Sequence, residues 1–574
     1  MYKTNKKKMT SEKISFFIII NYLWIYGLCV YNKPIVKIHQ GEIEGKIQQS
    51  RNGRYFSSFL GIPYALPPIN NLRFKSPQPA ESWTGKLEAH KDANMCPQMN
   101  GSRVIGDEDC LYINVYAPFT DFNNFTKNET QKNLTAVMVW IHGGAFVEGS
   151  SQSTLYSPGF LLDKNIVLVT FNYRLGILGF LSTGDSVAPG NYGLKDQVLA
   201  LKWIQNNIQF FGGNRSRVTI FGESAGGSSA SLHAFSNNSK GLFHQYITQS
   251  GNAFVPWTFQ NKTYFASFVK KLGLFFGCIT FNSEDLIKCL QTKSIDKLLS
   301  TSVTFSTIAR FAKLTWTPTN EPESEDAFLT DTPENLIAQN KLREYPFISG
   351  NVINEGLMIT ELLYASNLAY TTIRLGLDEF INYFSNYYLH PKDKNQFRIE
   401  VKKKYFSKGI FSSKEEFVVG LTRFATDAFF NYPLLKYIQT LSEKFQSPAY
   451  FYSFGYQGRE SIIKSLKKNY GDPKVGHTDD LDYLFPKKSV IIKGQDQIIS
   501  ELIVDLWTSF AITGKPTSDL LENPNLWTPY RESKNYLNIS GSILDIDMKV
   551  SVDDSYFFDR MDFFSRILSN YYFK

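Results

Sequence analysis

The chain contains apolar runs with almost no polar residue inside them. The longest of these are residues 136–141 (AVMVWI) and 166–171 (IVLVTF), and shorter runs occur at 218–221, 246–248, 346–349 and 449–454. Continuous apolar runs of this length are typical of strands buried on both faces of a parallel sheet. The segment 34–48 is predicted as a hairpin at the sheet edge.

A different period separates these predicted strands. From residue 193 to 211, apolar side chains recur every three or four positions, at Leu194, Val198, Leu201, Ile204, Ile208 and Phe211. That spacing predicts an amphipathic helix, and a second helix is expected over 225–235. Strands that alternate with helices indicate an α/β doubly wound sheet. Because no linker rich in Pro, Gly and Ser divides the chain, we expect one large domain over residues 30–574.

Residues 1–29 have the pattern of a secretory signal peptide. Five lysines lie among the first 13 residues, a mostly apolar run follows over 14–30, and Gly27 and Cys29 fit the positions before a cleavage site. The alternative is a signal anchor that stays in the membrane. No second apolar run of about 20 residues follows, so no other membrane segment is predicted. We therefore expect a secreted, extracellular protein.

Charge argues against a nucleic-acid partner. The net charge is +8, but half of it belongs to the lysine-rich leader. The rest is spread over the mature chain without a basic stripe, whereas nucleic-acid-binding domains concentrate theirs.

The cysteines fit the same compartment. Loss of the leader leaves Cys96, Cys110, Cys278 and Cys289, which allow three connectivities. We expect pairing within the two local loops, because closing a short loop costs little entropy. Disulfides indicate an oxidising compartment, and neither pair has the spacing of a zinc ribbon.

Sequons agree with secretion. Candidates for glycosylation are Asn100, Asn124, Asn128 and Asn133, each of which heads an N-x-S/T triplet. The last three lie in a polar stretch that is predicted to be an exposed loop.

The segment 222–226 (GESAG) fits the motif G-x-S-x-G between a predicted strand and a predicted helix. In that context the small flanking residues permit a sharp turn that exposes the hydroxyl of Ser224 as a nucleophile. The alternative interpretation is a helix start that is capped by Ser224.

A serine nucleophile needs a base and an acid further along the chain. Of the seven histidines, only His390 and His477 leave room for an acid between them and Ser224. His390 precedes a proline in a polar segment, whereas His477 follows a glycine and starts a loop. Glu355 lies just after the predicted strand 346–349. We therefore predict Glu355 as the acid and His477 as the base, against the alternative of ordinary surface charges.

The segment 142–146 (HGGAF) directly follows the strand 136–141. Its small residues allow backbone N–H groups to approach a bound carbonyl, and the N–H of Ala225 adds a further donor. An ordinary glycine turn is the alternative.

These motifs together make the chain resemble the type-B carboxylesterases of the cholinesterase–carboxylesterase family. The resemblance covers nearly all of the mature chain. It rests on residues 59–65 (FLGIPYA), 72–74 (LRF), 108–116 (EDCLYINVY), 190–197 (GNYGLKDQ) and 221–227 (FGESAGG), while 477–481 (HTDDL) is most similar to arthropod esterases.

The resemblance implies an α/β-hydrolase fold, with a large, mostly parallel central sheet flanked by helices and long insertions. It implies Ser224 as nucleophile, Glu355 as acid and His477 as base. It assigns the oxyanion hole to the N–H groups of Gly144, Ala145 and Ala225. It also implies the disulfides Cys96–Cys110 and Cys278–Cys289, and the structural ion pairs Arg73–Glu108 and Arg174–Asp196.

Departures from the family pattern bear on the substrate. Acetylcholinesterases carry a choline-stacking tryptophan between the first two cysteines, but residues 97–109 contain no aromatic residue. Juvenile-hormone esterases usually have Gln before the nucleophile, where this chain has Glu223. Glu223 could orient water or a substrate group. Trp257 matches a position that often lines the acyl pocket, and a core tryptophan is the alternative.

The predicted function is a secreted serine carboxylesterase that acts on small-molecule esters through an acyl-enzyme. It needs no metal or organic cofactor and no membrane beyond the signal segment. The oligomeric state stays open. The alternatives are a cholinesterase, a catalytically idle adhesion member of the fold, and a scavenger in which Ser224 is consumed stoichiometrically.

Overall fold

A computed structural model describes residues 33–122, 134–280, 282–300, 316–388, 393–459, 475–486, 492–542 and 547–568. The predicted signal peptide, His390, Asn124, Asn128 and Asn133 lie outside these ranges. Asn100 lies within them and is exposed.

The strands of the described residues are, in chain order, β1 (Ile35–Lys37), β2 (Glu42–Glu44), β3 (Lys46–Gln49), β4 (Tyr55–Pro63), β5 (Lys86–Glu88), β6 (Gln98–Asn100), β7 (Arg103–Ile105), β8 (Tyr112–Ala117), β9 (Thr135–Ile141), β10 (Ile166–Phe171), β11 (Gly213–Glu223), β12 (Gln245–Gln249), β13 (Phe347–Val352), β14 (Ala449–Gln457), β15 (Tyr536–Ser542) and β16 (Asp547–Asp553).

The helices of the same residues are α1 (Gly176–Phe180), α2 (Tyr192–Asn207), α3 (Ala225–His233), α4 (Lys262–Phe275), α5 (Ser283–Gln291), α6 (Pro333–Ala338), α7 (Leu357–Ala365), α8 (Asn367–Leu375), α9 (Leu377–Tyr388), α10 (Lys394–Tyr405), α11 (Lys414–Thr426), α12 (Tyr432–Lys444), α13 (Gln495–Thr513), α14 (Tyr530–Ser533) and α15 (Phe558–Leu568).

A central sheet has the strand order β16-β15-β14-β13-β12-β11-β9-β10-β8-β4-β3, which is eleven strands within the described part of the chain. Every neighbouring pair from β10 to β15 is parallel, and the pairs at both ends of the sheet are antiparallel. The α/β-hydrolase fold with a large, mostly parallel sheet is therefore confirmed.

The core lies on both faces of this sheet. Alternate residues of β9 enter two different apolar clusters, with Val137 and Val139 in one and Met138 and Trp140 in the other. The first cluster includes side chains of α2 and α3, and the second includes side chains of α13. Burial on both faces explains why β9 and β10 read as unbroken apolar runs.

Two of the predicted elements differ from the structure in detail. The segment 34–48 does contain the antiparallel pair β1–β2, but these strands form a separate small sheet with β5, and only β3 reaches the edge of the central sheet. The helix predicted over 193–211 ends as an α-helix at Asn207 and tightens into a 3₁₀ turn over Ile208–Phe211.

The topology collects the predicted site residues at one edge of the sheet. The segment 142–146 follows β9, Ser224 follows β11, Glu355 follows β13 and His477 follows β14. Because these four strands run parallel, their carboxyl ends meet at the same edge, where α/β folds bind ligands.

Candidate active site

Ser224 lies on a sharp turn between β11 and α3. Its backbone has φ +56° and ψ −123°, which a residue with a Cβ rarely adopts. The turn is held by the Ser224 N–H, which donates to the carbonyl of Gln249 at 2.8 Å, and by the Ser228 N–H, which donates to the carbonyl of Ser224 at 2.9 Å. A Cβ at Gly226 would lie 1.9 Å from the carbonyl oxygen of Ile141, so the close approach of α3 to β9 requires glycine. Strain of this kind, held by its surroundings, is typical of functional positions.

The glycine-rich segment after β9 also turns through the left-handed region. Gly144 has φ +105° and Ala145 has φ +53°, and the amides of Val147 and Glu148 donate to the carbonyl of Gly144. Among the hydrogen bonds of the described residues, none uses the amides of Gly144 or Ala145 as donors. The amide of Ala225 belongs to the first turn of α3, where N–H groups have no intrahelical acceptor. Ala145 and Ser224 line the same cavity.

His477 and Glu355, the predicted base and acid, are in direct contact. The Nδ1 atom of His477 lies 2.6 Å from Oε2 of Glu355, whose other oxygen accepts a hydrogen bond from the Val352 amide at 3.0 Å. Glu355 is fully buried, and the side chain of His477 is 8% exposed. A carboxylate that accepts the Nδ1 proton fixes the tautomer in which Nε2 has a free lone pair.

Glu223 is a second carboxylate on the same imidazole. Its Oε1 lies 3.0 Å from Nε2 of His477, and its side chain is 3% exposed. Burial raises the pKa of Glu223 to about 8. Burial alone would lower the pKa of His477, but the nearby carboxylates of Glu223 and Glu355 outweigh it and raise that pKa to about 9. The imidazole therefore lies between two acids, and Nε2 must exchange Glu223 for a hydroxyl before it can accept a proton from one.

Asp480 is a third carboxylate that is close enough to His477 to interact with it electrostatically. Asp480 is 2% exposed, and its Oδ2 accepts a hydrogen bond of 2.7 Å from Nε2 of the Gln249 side chain. Burial raises the pKa of Asp480 to about 6. Sequence reasoning did not single out Asp480. Its position three residues after His477 was the available signal, since both belong to the same short loop.

Ser224 also lines an apolar cavity of about 160 Å³. Besides Ser224 and Ala145, it is lined by Trp257, Met358, Ile359, Phe380, Tyr383, Phe429 and Phe430. Trp257 is 9% exposed, so it is both a buried side chain and part of the cavity wall. A wall of this composition suits a neutral apolar group.

The loops around the site are held by covalent and ionic links. The disulfides Cys96–Cys110 and Cys278–Cys289 are present. Gln98, in the first disulfide loop, exchanges two hydrogen bonds of 2.9 Å with the backbone of Gly149, so this loop lies beside the glycine-rich segment.

The two ion pairs expected from the resemblance also form. Arg73 makes two hydrogen bonds to the carboxylate of Glu108, of 2.7 and 2.6 Å. Arg174 does the same to Asp196, at 2.8 and 2.7 Å. None of these four residues lines the cavity.

The described residues contain neither a helix suited to crossing a membrane nor a cluster suited to a metal ion. No helix among them combines the length and apolar character that crossing a bilayer requires. No group of three or more His, Cys, Asp or Glu side chains among them has an arrangement suited to a metal ion.

The chain is similar to several known esterases. The model of the carboxylesterase family matches residues 32–558. The chain is 36% identical to esterase FE4 of Myzus persicae over 520 residues, which is 88% of each chain, and 32% identical to juvenile hormone esterase of Tribolium castaneum over 599 residues, with coverage of 98% and 99%. A crystal structure of juvenile hormone esterase from Manduca sexta, with OTFP covalently attached, matches with a TM-score of 0.80 and 26% identity, over 94% of this chain and all of that one. The chain therefore belongs to the carboxylesterase family and is a carboxylic-ester hydrolase.

Proposed function

We propose that the protein is a secreted serine esterase with the catalytic triad Ser224, His477 and Glu355. The observation that carries the proposal is the convergence at one sheet edge of a strained serine and a histidine already paired with a buried carboxylate. The serine also opens onto an apolar cavity. Such a set performs nucleophilic acyl transfer.

In the first half of the reaction, Nε2 of His477 accepts the proton of the Ser224 hydroxyl while Oγ attacks the ester carbonyl carbon. The carbonyl oxygen becomes an oxyanion, which the amides of Gly144, Ala145 and Ala225 stabilise. Each such donor contributes on the order of 10² to 10³ in rate. The C–O bond to the alcohol then breaks, and the alcohol leaves with the proton that His477 returns.

In the second half, water attacks the acyl-enzyme and gives its proton to Nε2 of His477. The new tetrahedral intermediate expels Oγ of Ser224, which recovers its proton, and the carboxylic acid leaves. Glu355 keeps the Nδ1 proton throughout and stabilises the imidazolium that forms in each half.

The cavity supports an uncharged ester with an apolar group as the substrate. Its wall offers one tryptophan and several other aromatic rings, and it offers no ionised side chain. Burying an unpaired charge there would be costly, whereas burying apolar surface is favourable at about 25 cal/mol per Å².

Secretion is part of the proposal. It is supported by the signal-peptide pattern of residues 1–29 and by the two disulfides, which persist in oxidising compartments. The similarity to venom carboxylesterase-6 of Apis mellifera, 35% over 532 residues, agrees with it.

The proposal is tested by replacing the nucleophile. We expect Ser224→Ala to lower the turnover of p-nitrophenyl esters by about 10⁶, while the melting temperature stays near that of the wild type. Ser231→Ala is the matched control, because it removes a buried hydroxyl from the same helix outside the cavity wall. Stoichiometric labelling by an organophosphate, followed by peptide mapping, identifies the nucleophile as the residue that carries the phosphoryl group, and we expect this residue to be Ser224. Substantial activity in pure Ser224→Ala enzyme would overturn the assignment.

A further inference from the structure

One turn of the cavity wall is not α-helical. Residues Asp427–Asn431 form a π-helical turn between α11 and α12. Pro433, at the start of α12, explains its place, because a proline has no N–H and its ring would clash with the carbonyl four residues earlier in an α-helix. π-Helical turns are rare in proteins overall, but many of those that do occur lie at functional sites.

The first residue of this turn is a fully buried acid with three partners. Asp427 is 0% exposed. Its Oδ2 accepts a hydrogen bond from the Tyr405 hydroxyl at 2.8 Å and lies 3.3 Å from Nε of Arg560, on α15. Its Oδ1 accepts a hydrogen bond of 3.0 Å from Nδ2 of the Asn431 side chain, which links the first and last residues of the turn. The turn is thus fixed at both ends and tied to α10 and α15.

The same turn is joined to the loop that carries Glu355. Oδ1 of Asn431 accepts hydrogen bonds from the Tyr556 hydroxyl at 2.7 Å and from Nδ2 of the Asn351 side chain at 3.3 Å. The amide of Gly356 donates to Oγ1 of Thr426 at 2.9 Å. Because Asn351 and Gly356 flank the acid, the turn and the proposed triad share one buried polar network.

The middle of the turn supplies two consecutive rings to the cavity. Phe429 and Phe430 both line it. The ring centre of Phe430 lies 5.4 Å from that of His477 and 5.9 Å from that of Trp257. In an α-helix, adjacent side chains point about 100° apart. A π-helical turn contains more residues per turn, so the angle between the adjacent side chains of Phe429 and Phe430 is smaller.

We propose that the turn Asp427–Asn431, held by the Asp427–Arg560 pair, determines which apolar group of the ester the cavity accepts. Asp427 and Arg560 are positioning residues that act through Phe429 and Phe430. This inference rests on the proposed function, because it concerns the substrate of that same site. The selected group is the uncharged acyl or alcohol portion that fills the cavity beside Ser224.

The test compares two esters that share a leaving group. For Asp427→Asn, we expect the ratio of kcat/KM for p-nitrophenyl octanoate to that for p-nitrophenyl acetate to change about tenfold, as for the loss of fit of one or two methylenes. The value of kcat/KM for the octanoate, per active site titrated with an organophosphate, should change more than the value for the acetate. Arg560→Lys keeps the positive charge and should keep the ratio near that of the wild type. A second series, acetate esters of graded alcohols, covers occupation of the cavity by the alcohol.

Control variants separate positioning from stability. Asp163→Asn is the control, because it removes the charge from a partly buried contact of 2.9 Å with Arg51 away from the cavity wall, and it should leave the ratio unchanged in both substrate series. Phe430→Leu changes the wall directly and should shift the same ratio. Tyr405→Phe removes one bond to Asp427, and it keeps the test available if Asp427→Asn does not fold.

Two failures can be told apart. If the titrated Asp427→Asn, Tyr405→Phe and Phe430→Leu enzymes keep the wild-type ratio in both substrate series, the inference is wrong and the triad proposal stands. If the organophosphate does not titrate wild-type Ser224, the triad proposal fails and this inference fails with it.

Discussion

Two regions meet at Ser224 and differ in charge, hydrogen bonding and side-chain type. On one side, Glu223, Glu355 and Asp480 surround His477, and all three acids are at most 3% exposed. On the other side, aromatic and aliphatic side chains line the cavity. In the proposed mechanism, the charged side transfers the protons that the hydrolysis of every ester involves, whereas the apolar side contacts the groups that differ between esters. We therefore expect changes on the charged side to affect all substrates alike and changes on the apolar side to affect selectivity.

The largest effect expected on the charged side, after loss of the nucleophile, comes from Glu355→Gln. A glutamine amide can donate towards Nδ1 of His477, which favours the tautomer with the proton on Nε2. A base in that tautomer cannot accept the proton of Ser224, and the analogous change in a serine protease lowers kcat by about 10⁴.

The measurement is kcat for p-nitrophenyl acetate and octanoate in the same preparation. The kcat values for both esters should fall by similar factors, because the position of the imidazole proton does not depend on the acyl chain of the substrate. A loss of less than tenfold, or a loss confined to one ester, would remove Glu355 from the proposed triad.

A smaller effect, which appears in the pH profile, is expected from Glu223→Gln. The anion of Glu223 is one of the causes that raise the pKa of His477, and a base must be neutral to accept a proton. Activity therefore rises as the pH increases through the pKa of His477. Removing the anion lowers that pKa, so the acidic limb of kcat/KM should move to lower pH.

Asp480→Asn provides the graded comparison for this prediction. The carboxylate of Asp480 also raises the pKa of His477, but by less than the carboxylates of Glu223 and Glu355 do. Its removal should shift the acidic limb in the same direction by less. An unchanged limb in Glu223→Gln, or a shift to higher pH, would mean that the Glu223 anion does not raise the pKa of His477 in solution. Because Glu223 and His477 titrate as a pair, the measured midpoint belongs to both.

The two regions also differ in how far the sequence predicts them. Ser224, Glu355 and His477 follow strands whose apolar runs are visible, and parallel strands bring their carboxyl ends together. The contact between His477 and Glu355 follows from that order. The approach of Glu223 to Nε2 does not, because it depends on the side-chain direction at a strained turn.

The cavity wall is less predictable for a physical reason. Most of its residues come from α7, α9 and the turn Asp427–Asn431, which are brought together by packing between distant helices. Phe429 and Phe430 look like ordinary core residues in the sequence. Only Pro433 hints at an irregular turn, and a proline there is equally compatible with a new helix start.

The smallest expected effect concerns a charged substrate on the apolar side. Residues 97–109 contain no aromatic residue, and Gln98 fixes this loop beside the glycine-rich segment. A choline group therefore lacks the stacking face that the cholinesterase pattern would provide there, a contribution of about 0.5–2 kcal/mol. Since 1.36 kcal/mol corresponds to a factor of ten, the expected disadvantage is a few-fold to some tens-fold.

We expect kcat/KM for acetylcholine to fall below that for its neutral isostere, 3,3-dimethylbutyl acetate, at fixed ionic strength. A clear preference for acetylcholine would contradict this prediction and would point to the rings of the cavity, which are the aromatic faces next to Ser224. Trp257→Leu would then decide, because a cation site on that ring would lose the preference for acetylcholine while keeping turnover of the neutral ester.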